Sequence, residues 1–332
     1  MNDKVHDIAI LGGGPTGLFA AFYAGMRHMS TLIVDSMAEL GGQLAALYPE
    51  KYVYDVGGFP KVLAKELAKG LVEQATQFHP DVALEETARS LEQGPDDTWI
   101  VGTDKREHRA RTVVISAGIG AFEPRRLKAP GVERLTGHGV QYLVRDKMGF
   151  SGQRVMIVGG GDSACDWAVN LQGIADSLTL VHRREGFRAH EGTVKEIKES
   201  DQIEVLTHWE VRSVAGDGDL ESVTIYDNRT DEEQTREVDT LLINIGFKAD
   251  LGPIKEWGIE MSRRKIFVNE KMETNLPGVY AAGDVTEHEA KLDLIATGFG
   301  EAAIAVNFAK TRIDPDARAF PGHSTEEKWK EE

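Results

Sequence analysis

The chain has 332 residues, room for about two domains. Its 41% hydrophobic and 28% charged residues are ordinary for a globular protein with ample core material, and its net charge of −16 argues against general binding to nucleic acid or to a membrane surface. The one cysteine, Cys165, excludes an intramolecular disulfide and a cysteine zinc cluster and favours a reducing, cytoplasmic compartment.

Near the amino end, Ile8 to Met26 carries no charge. Three consecutive glycines and a proline interrupt it, and Asp3 and Asp7 flank it, so it reads neither as a targeting segment nor as a membrane span. It reads instead as a strand (Ile8 to Leu11), a turn with Gly12-x-Gly14-x-x-Gly17, and a helix. A second strand, Thr31 to Val34, ends in Asp35, 23 residues after Gly12. This is the βαβ dinucleotide fingerprint in its required context. The first glycine makes the tight turn, the second admits the pyrophosphate, and the third lets helix and strand pack closely. Phosphates sit on free amides at the helix amino end, Thr16 among them, and the acid bonds the ribose hydroxyls.

Gly41 to Pro60 (GGQLAALYPEKYVYDVGGFP) is rich in Gly, Tyr and Pro and reads as an irregular loop. Lys61 to Phe78 form an amphipathic helix, and Val82 to Glu92 with Trp99 to Thr103 a small meander. Arg111 to Ser116 is a strand ending in Ala117-Gly118-Ile119-Gly120, where the chain leaves its first domain. Residues Phe122 to Pro130 include the crossing linker.

The fingerprint then returns. Arg154 to Val158 form a strand, Gly159-x-Gly161-x-x-Ala164 opens a helix with Asp162 and Ser163 in its turn, and Leu178 to Val181 form the next strand. Here no acid follows. His182-Arg183-Arg184 stand in its place, with Arg188 close behind. A carboxylate would repel a 2′-phosphate, whereas an arginine fork pairs with it. The second site therefore reads as one for NADP(H), the plainer reading of the arginines being a solvated surface cluster. Glu204 to Glu210, Val223 to Tyr226 and Asp239 to Ile245 are further strands, and Gly246-Phe247 mark the return crossing. Gly278 to Ala282 form one more strand before Gly283-Asp284, and Leu292 to Ala309 a helix with small residues facing something close. On composition alone the tail from Asp314 is frayed.

The expected fold is α/β, with two Rossmann-like dinucleotide-binding domains: residues 1–120 with 248–332, and 121–247 inserted between them. The ten histidines show no ligand spacing, so no metal site is expected.

GGGPTG with Asp35, GGQL, GGGDSA, HRR, YAAGD (Tyr280 to Asp284) and GFGEA (Gly298 to Ala302) together resemble the two-dinucleotide-domain flavoprotein reductases, among them the bacterial thioredoxin reductases. The resemblance implies FAD in the first domain, NADPH in the second, and an Asp284 contact to the ribityl-phosphate region of the flavin. Thioredoxin reductases carry a CxxC pair before the second fingerprint. The corresponding stretch here, Val140 to Phe150, has no cysteine, and disulfide exchange needs an attacking and a resolving thiol. YPEKYVYDVGGFP, HRREGFRAHE and the tail PGHST are similar to the thioredoxin-reductase-like ferredoxin–NADP+ reductases. That branch implies Tyr48 stacked on one flavin face and His323 covering the other from the second subunit of a homodimer. It also implies FAD contacts at Gln43, Ala88, Phe122 and Thr325. Without the resemblance, Tyr48 is an ordinary loop aromatic and His323 a solvated tail histidine.

The implied activity is hydride transfer between NADPH and FAD, coupled to one-electron transfer with a ferredoxin or flavodoxin. A general NAD(P)H:acceptor oxidoreductase acting on a quinone or free flavin is the alternative. A non-catalytic nucleotide sensor is a third reading, which two intact fingerprints argue against. An acidic ferredoxin would need a local basic patch on this acidic chain, with Arg125, Arg126 and Lys128, or the arginine cluster of residues 183–188, as candidates.

Overall fold

The structure, a computed structural model, describes residues 4–322. The chain divides into two compact units, Met1–Ala121 with Ala249–Glu332, and Phe122–Lys248.

The first unit is built on a seven-stranded sheet. Its parallel part runs Asp81–Ala83, Thr31–Val34, Val5–Leu11, Glu107–Ile115, Val279–Ala281, in that spatial order. Alternation of side chains along each strand sorts residues onto two faces. Ile8, Ile10, Ile33, Val114 and Tyr280 point toward the helices Pro15–Met26, Ala64–Thr76 and Ile295–Ile313, meeting Leu18, Ala21, Leu67, Leu71 and Ala302. Ala9, Leu11, Leu32, Val34, Val113 and Ile115 point to the other face, against Trp99, Val101, Leu251 and Trp257. The near-continuous apolar runs follow from burial on both faces. Pro15 opens the first helix, where its missing amide hydrogen is no loss. The helix ends where His28 takes a left-handed φ of 54°, letting the Met29 amide donate to the Ala24 carbonyl at 3.0 Å.

The second unit repeats this plan. Five parallel strands lie in the order Val140–Gln141, Thr240–Asn244, Arg154–Gly159, Ser177–His182, Ile203–Thr207. Val155, Ile157, Leu178 and Leu180 pack on the helix side, with Cys165, Trp167 and Ile197. Met156, Val158, Leu241 and Ile243 pack against a three-stranded antiparallel meander through Val211, Val223 and Ile225. Both units are Rossmann-like, so the α/β class is as expected.

Several boundaries depart from the sequence reading. The loop after Asp35 contains a helical turn, Gln43–Ala46, and a short antiparallel pairing of Tyr52–Val53 with Val62–Leu63, so the following helix starts only at Ala64. The run from Val82 to Glu92 is two strands: Asp81–Ala83 joins the parallel sheet, while Ala88–Gln93 belongs to the meander, with Glu85 at φ 53° between them. Glu204 to Glu210 likewise divides at His208, φ 67°, into a parallel and an antiparallel strand. The last helix is Ile295–Ile313, later at both ends than its small-residue pattern indicates.

Candidate functional sites at the carboxyl ends of two parallel sheets

In open parallel sheets, ligands bind outside the carboxyl ends of the strands. In the first unit that edge gathers most of the residues singled out above. Gly12 has a φ of 117°, and a Cβ there would lie 2.5 Å from the Ser116 carbonyl oxygen. A Cβ on Gly17 would lie 1.8 Å from the Gly12 carbonyl oxygen. Both glycines are demanded by the protein's own packing. Gly14 is different: its nearest neighbour for a Cβ is the Gly42 Cα, at an ordinary 3.9 Å. The protein leaves that space open beside a helix terminus with no side-chain cap, which fits a ligand backbone with phosphates on the free amides.

Asp35 is buried, at 8% exposure. Its Oδ2 accepts from the Gly13 amide and its Oδ1 from the Met37 amide at 2.8 Å. Each carboxylate oxygen can accept again, so capacity for a hydroxyl remains. Thus Asp35 also locks the phosphate turn to the strand beside it, a role the sequence reading missed. The Gly41 amide donates to the Gly13 carbonyl at 2.9 Å, bringing the GGQL turn and Gln43 alongside. Ala88, half-buried, begins its strand two residues after Glu86, whose amide donates to the Asp35 carbonyl at 3.0 Å.

Tyr48 is half-buried, and its hydroxyl is pushed up to about 12 by burial and by the Asp284 and Asp55 carboxylates. It therefore stays a neutral phenol at physiological pH. Asp284 follows the strand Val279–Ala281, and its carboxyl is raised above the usual range, first by burial and then by Asp293. Thr16 underlies this turn: a Cβ on Gly283 would lie 2.7 Å from its Oγ1, and one on Gly298 2.5 Å from the same atom. These contacts are the close neighbours that the small residues of the last helix face. His323 and Thr325 lie outside the described residues, as does the side chain of Phe122. The chain just before them is held by Arg27, whose guanidinium donates to the Arg318 carbonyl at 2.8 Å.

Sequence reasoning missed a buried cluster under the same edge. Glu301, 6% exposed, accepts from the Gly283 amide at 2.7 Å and from Lys291 Nζ at 2.8 Å. The signal was available: a glutamate inside a helix face otherwise made of small and apolar residues needs a partner. Asp55 was missed too; its Oδ2 accepts from the Ile295 amide at 2.9 Å, capping the last helix.

In the second unit, Gly159 has a φ of 153°, and a Cβ there would lie 2.3 Å from the Asn244 carbonyl oxygen and 2.8 Å from the Ala164 Cβ. Ala164 is fully buried, consistent with close helix–strand packing. Gly161 would meet nothing within 4 Å, again an open place at an uncapped helix terminus, with Ser163 in the first turn. The Asp162 carboxylate accepts from the His190 amide at 3.0 Å, so it braces the following loop. His182 stacks on Phe187 with ring centroids 4.9 Å apart and bonds the Gly186 carbonyl at 3.1 Å. Burial, and after it the charges of Arg183, Arg184 and Arg188, hold its imidazole below the ordinary value. All three arginines are exposed, and none has an ion-pair partner among the described residues. The Arg188 amide donates to the Gly160 carbonyl at 2.7 Å, so the loop folds back over the phosphate turn.

A cavity of about 930 Å³ lies at the opposite end of this sheet. Both arginines in its walls are already paired, Arg154 with Asp239 and Arg236 with Glu204, and it is not where a parallel sheet binds a dinucleotide. Among the described residues, no helix is long and apolar enough to cross a membrane.

Two Rossmann-like units, one inserted in the other and each with an open phosphate turn, define a two-dinucleotide-domain flavoprotein reductase. The family model described as pyridine nucleotide-disulphide oxidoreductase matches residues 6–307. Among solved structures, the chain is similar to thioredoxin reductase of T. acidophilum (TM-score 0.77, 27% identity, covering 94% of this chain and 99% of that one). It is likewise similar to thioredoxin reductase of Lactococcus lactis (TM-score 0.75, 26%, covering 92% and 97%). It is 51% identical to the ferredoxin–NADP reductase of Halalkalibacterium halodurans over 97% of this chain and 98% of that protein. It is 53% identical to that of Sulfurisphaera tokodaii over 97% of both. The chain belongs to the ferredoxin–NADP reductases of the thioredoxin-reductase-like fold.

Proposed function

We propose that this chain is an FAD-dependent ferredoxin/flavodoxin–NADP+ oxidoreductase, with FAD on the unit bearing Gly12 to Asp35 and NADPH on the unit bearing Gly159 to Arg188. The observation that carries the cofactor assignment is the contrast between the two strand ends. One offers a buried carboxylate and the other three exposed guanidinium groups with no ion-pair partner among the described residues. A single cysteine, fully buried, supplies no disulfide pair, which separates this chain from thioredoxin reductases.

The bound flavin supplies the exchange between two-electron hydride chemistry and one-electron transfer. The chain's residues bind and orient. Gly12, Gly14 and Gly17 shape the turn, and the amides near Thr16 face the pyrophosphate. Asp35 accepts from the ribose hydroxyls. Tyr48, a neutral ring beside Asp284, stacks on the flavin, and Asp284 meets the ribityl-phosphate region; Gln43, Ala88 and Phe122 complete the contacts. On the second unit, Gly159, Gly161, Asp162, Ser163 and Ala164 form the pyrophosphate turn, while His182, Arg183, Arg184 and Arg188 receive the 2′-phosphate. The family resemblance supports a homodimer in which His323 and Thr325 reach the partner's flavin, and the lone buried thiol supports a cytoplasmic setting.

Anaerobic reduction of a ferredoxin, followed through cytochrome c with NADPH and NADH in parallel, tests the activity. Strong ferredoxin dependence with NADPH is expected. A yellow protein that oxidises NADPH with no gain from ferredoxin or flavodoxin would instead assign it to the general quinone or flavin reductases.

A further inference from the structure

Within the first unit, the turn that carries Asp284 is gripped from beneath. The Gly283 amide donates to Glu301 Oε2 at 2.7 Å, and the Gly283 carbonyl accepts from Lys291 Nζ at 2.8 Å. Lys291 also bonds both Glu301 oxygens, at 2.8 and 3.0 Å. The two side chains are 4% and 7% exposed. Thr286 Oγ1 reaches the same carboxylate at 3.3 Å, and His288 Nε2 lies 3.1 Å from Oε1. Thus one buried ion pair reaches both the amide and the carbonyl of Gly283, and so the two peptide units that flank its Cα; the carbonyl also accepts from the Thr286 amide at 2.9 Å and from Thr286 Oγ1 at 2.8 Å.

A buried ion pair is a poor device for stability alone, because desolvating two charges offsets most of their attraction. Its distinctive effect is geometric. Gly283 sits at φ 82°, in the left-handed region, and a Cβ there would collide with Thr16. A residue with that freedom needs external restraint to hold one conformation. The next residue is Asp284, whose amide has no hydrogen-bond partner among the described residues and whose charge acts on the Tyr48 hydroxyl.

We propose that Glu301 and Lys291 are positioning residues for the flavin: together they fix the two peptide units that flank Gly283, so that the amide and carboxylate of Asp284 face the ribityl-phosphate region of FAD. This rests on the placement of FAD in the first unit. Neither residue touches the cofactor in this scheme; both act through Gly283.

The test uses the full chain, stripped of flavin and titrated with FAD, with affinity read from flavin fluorescence and the bound absorption spectrum recorded. Binding of FAD by the wild-type protein tests the cofactor assignment itself; the variants test the inference. The double variant E301L/K291M replaces the pair by apolar side chains of similar size, which leaves core stability near neutral. The melting temperature of its flavin-free form is expected to fall by only roughly a few degrees, the cost of the Gly283 amide left without its acceptor. Its FAD affinity is expected to fall roughly ten- to a hundredfold, with a shifted flavin spectrum, because two buried contacts of the turn are lost. A folded double variant that binds FAD within about threefold of wild type would overturn the proposal. E301Q/K291M keeps an oxygen acceptor for the Gly283 amide without leaving a buried ammonium unpaired, and near-wild-type affinity and spectrum are expected. If E301L/K291M does not fold, E301Q/K291M is compared with E301A/K291M: a roughly tenfold weaker FAD affinity in the alanine variant supports positioning through the Gly283 bond, and equal affinities overturn it.

Discussion

Replacing Arg183 and Arg184 together by alanine should remove most of the preference for NADPH over NADH. Both guanidinium groups are exposed at the end of the strand Ser177–His182, and neither is neutralised by a neighbouring acid among the described residues. Nothing therefore has to be broken before they engage a phosphate. The 2′-phosphate carries up to about two negative charges and three acceptor oxygens. Solvent screening limits each exposed contact to about 1 kcal/mol. Two arginines then contribute about 2 kcal/mol, which at about 1.4 kcal/mol per decade is roughly a thirtyfold loss in kcat/KM for NADPH. NADH lacks the phosphate and should change by less than about twofold. Arg188, tethered by its amide to the Gly160 carbonyl at 2.7 Å, retains some of the preference. The assay is steady-state kcat/KM with each nucleotide at two ionic strengths, since screened exposed charges make the wild-type preference fall with salt. An NADPH/NADH ratio that stays within about threefold of wild type would refute the phosphate assignment. An equal fall for both nucleotides would also refute it, pointing to damage of the shared pyrophosphate turn.

Two further outcomes follow from the same geometry. G14A should leave the flavin-free fold intact, because its Cβ meets only Gly42 at 3.9 Å, yet should abolish FAD binding; G17A, whose Cβ would lie 1.8 Å from the Gly12 carbonyl oxygen, should destabilise the fold itself. Thermal melts of the flavin-free proteins beside FAD titrations separate the two, and a G14A protein that still binds FAD tightly would refute the reading of that opening. Burial and the arginine charges hold the His182 imidazole below its ordinary value, so the folded state takes up its proton less readily than the unfolded chain. The stability tied to His182 is therefore present above about pH 6.5 and is lost as pH falls from there toward its depressed folded value. The pH dependence of Tm between about 5 and 7.5 should flatten in H182N, and should shrink in the double arginine variant, which relieves the repulsion; identical curves would refute the electrostatic account.

Local chemistry made much of this protein legible. A fingerprint glycine, a strand run and the side chain at the next strand's end all lie within about thirty residues, the span of one βαβ unit. Both fingerprints, the buried Asp35 and the arginine cluster thus stand where the sequence indicates them, at the carboxyl ends of parallel strands. The absent cysteine pair was legible for the same reason. Short strands were not: Asp81–Ala83 and Ala88–Gln93 read as one run, because only pairing partners reveal that they belong to different parts of the sheet.

The amino-acid sequence by itself determined the duplication, the contrast between an acid at one strand end and arginines at the other, and the lack of a disulfide pair, since each depends on residue types at fixed local spacing. Only the tertiary structure decided how the turn before Asp284 is held. Gly283 and Glu301 are 18 residues apart, and Asp55 and the Ile295 amide it caps are 240 apart. A buried carboxylate shows its role only through the partner it meets, and that partner is chosen by the packing of helix on sheet rather than by anything near it in the chain.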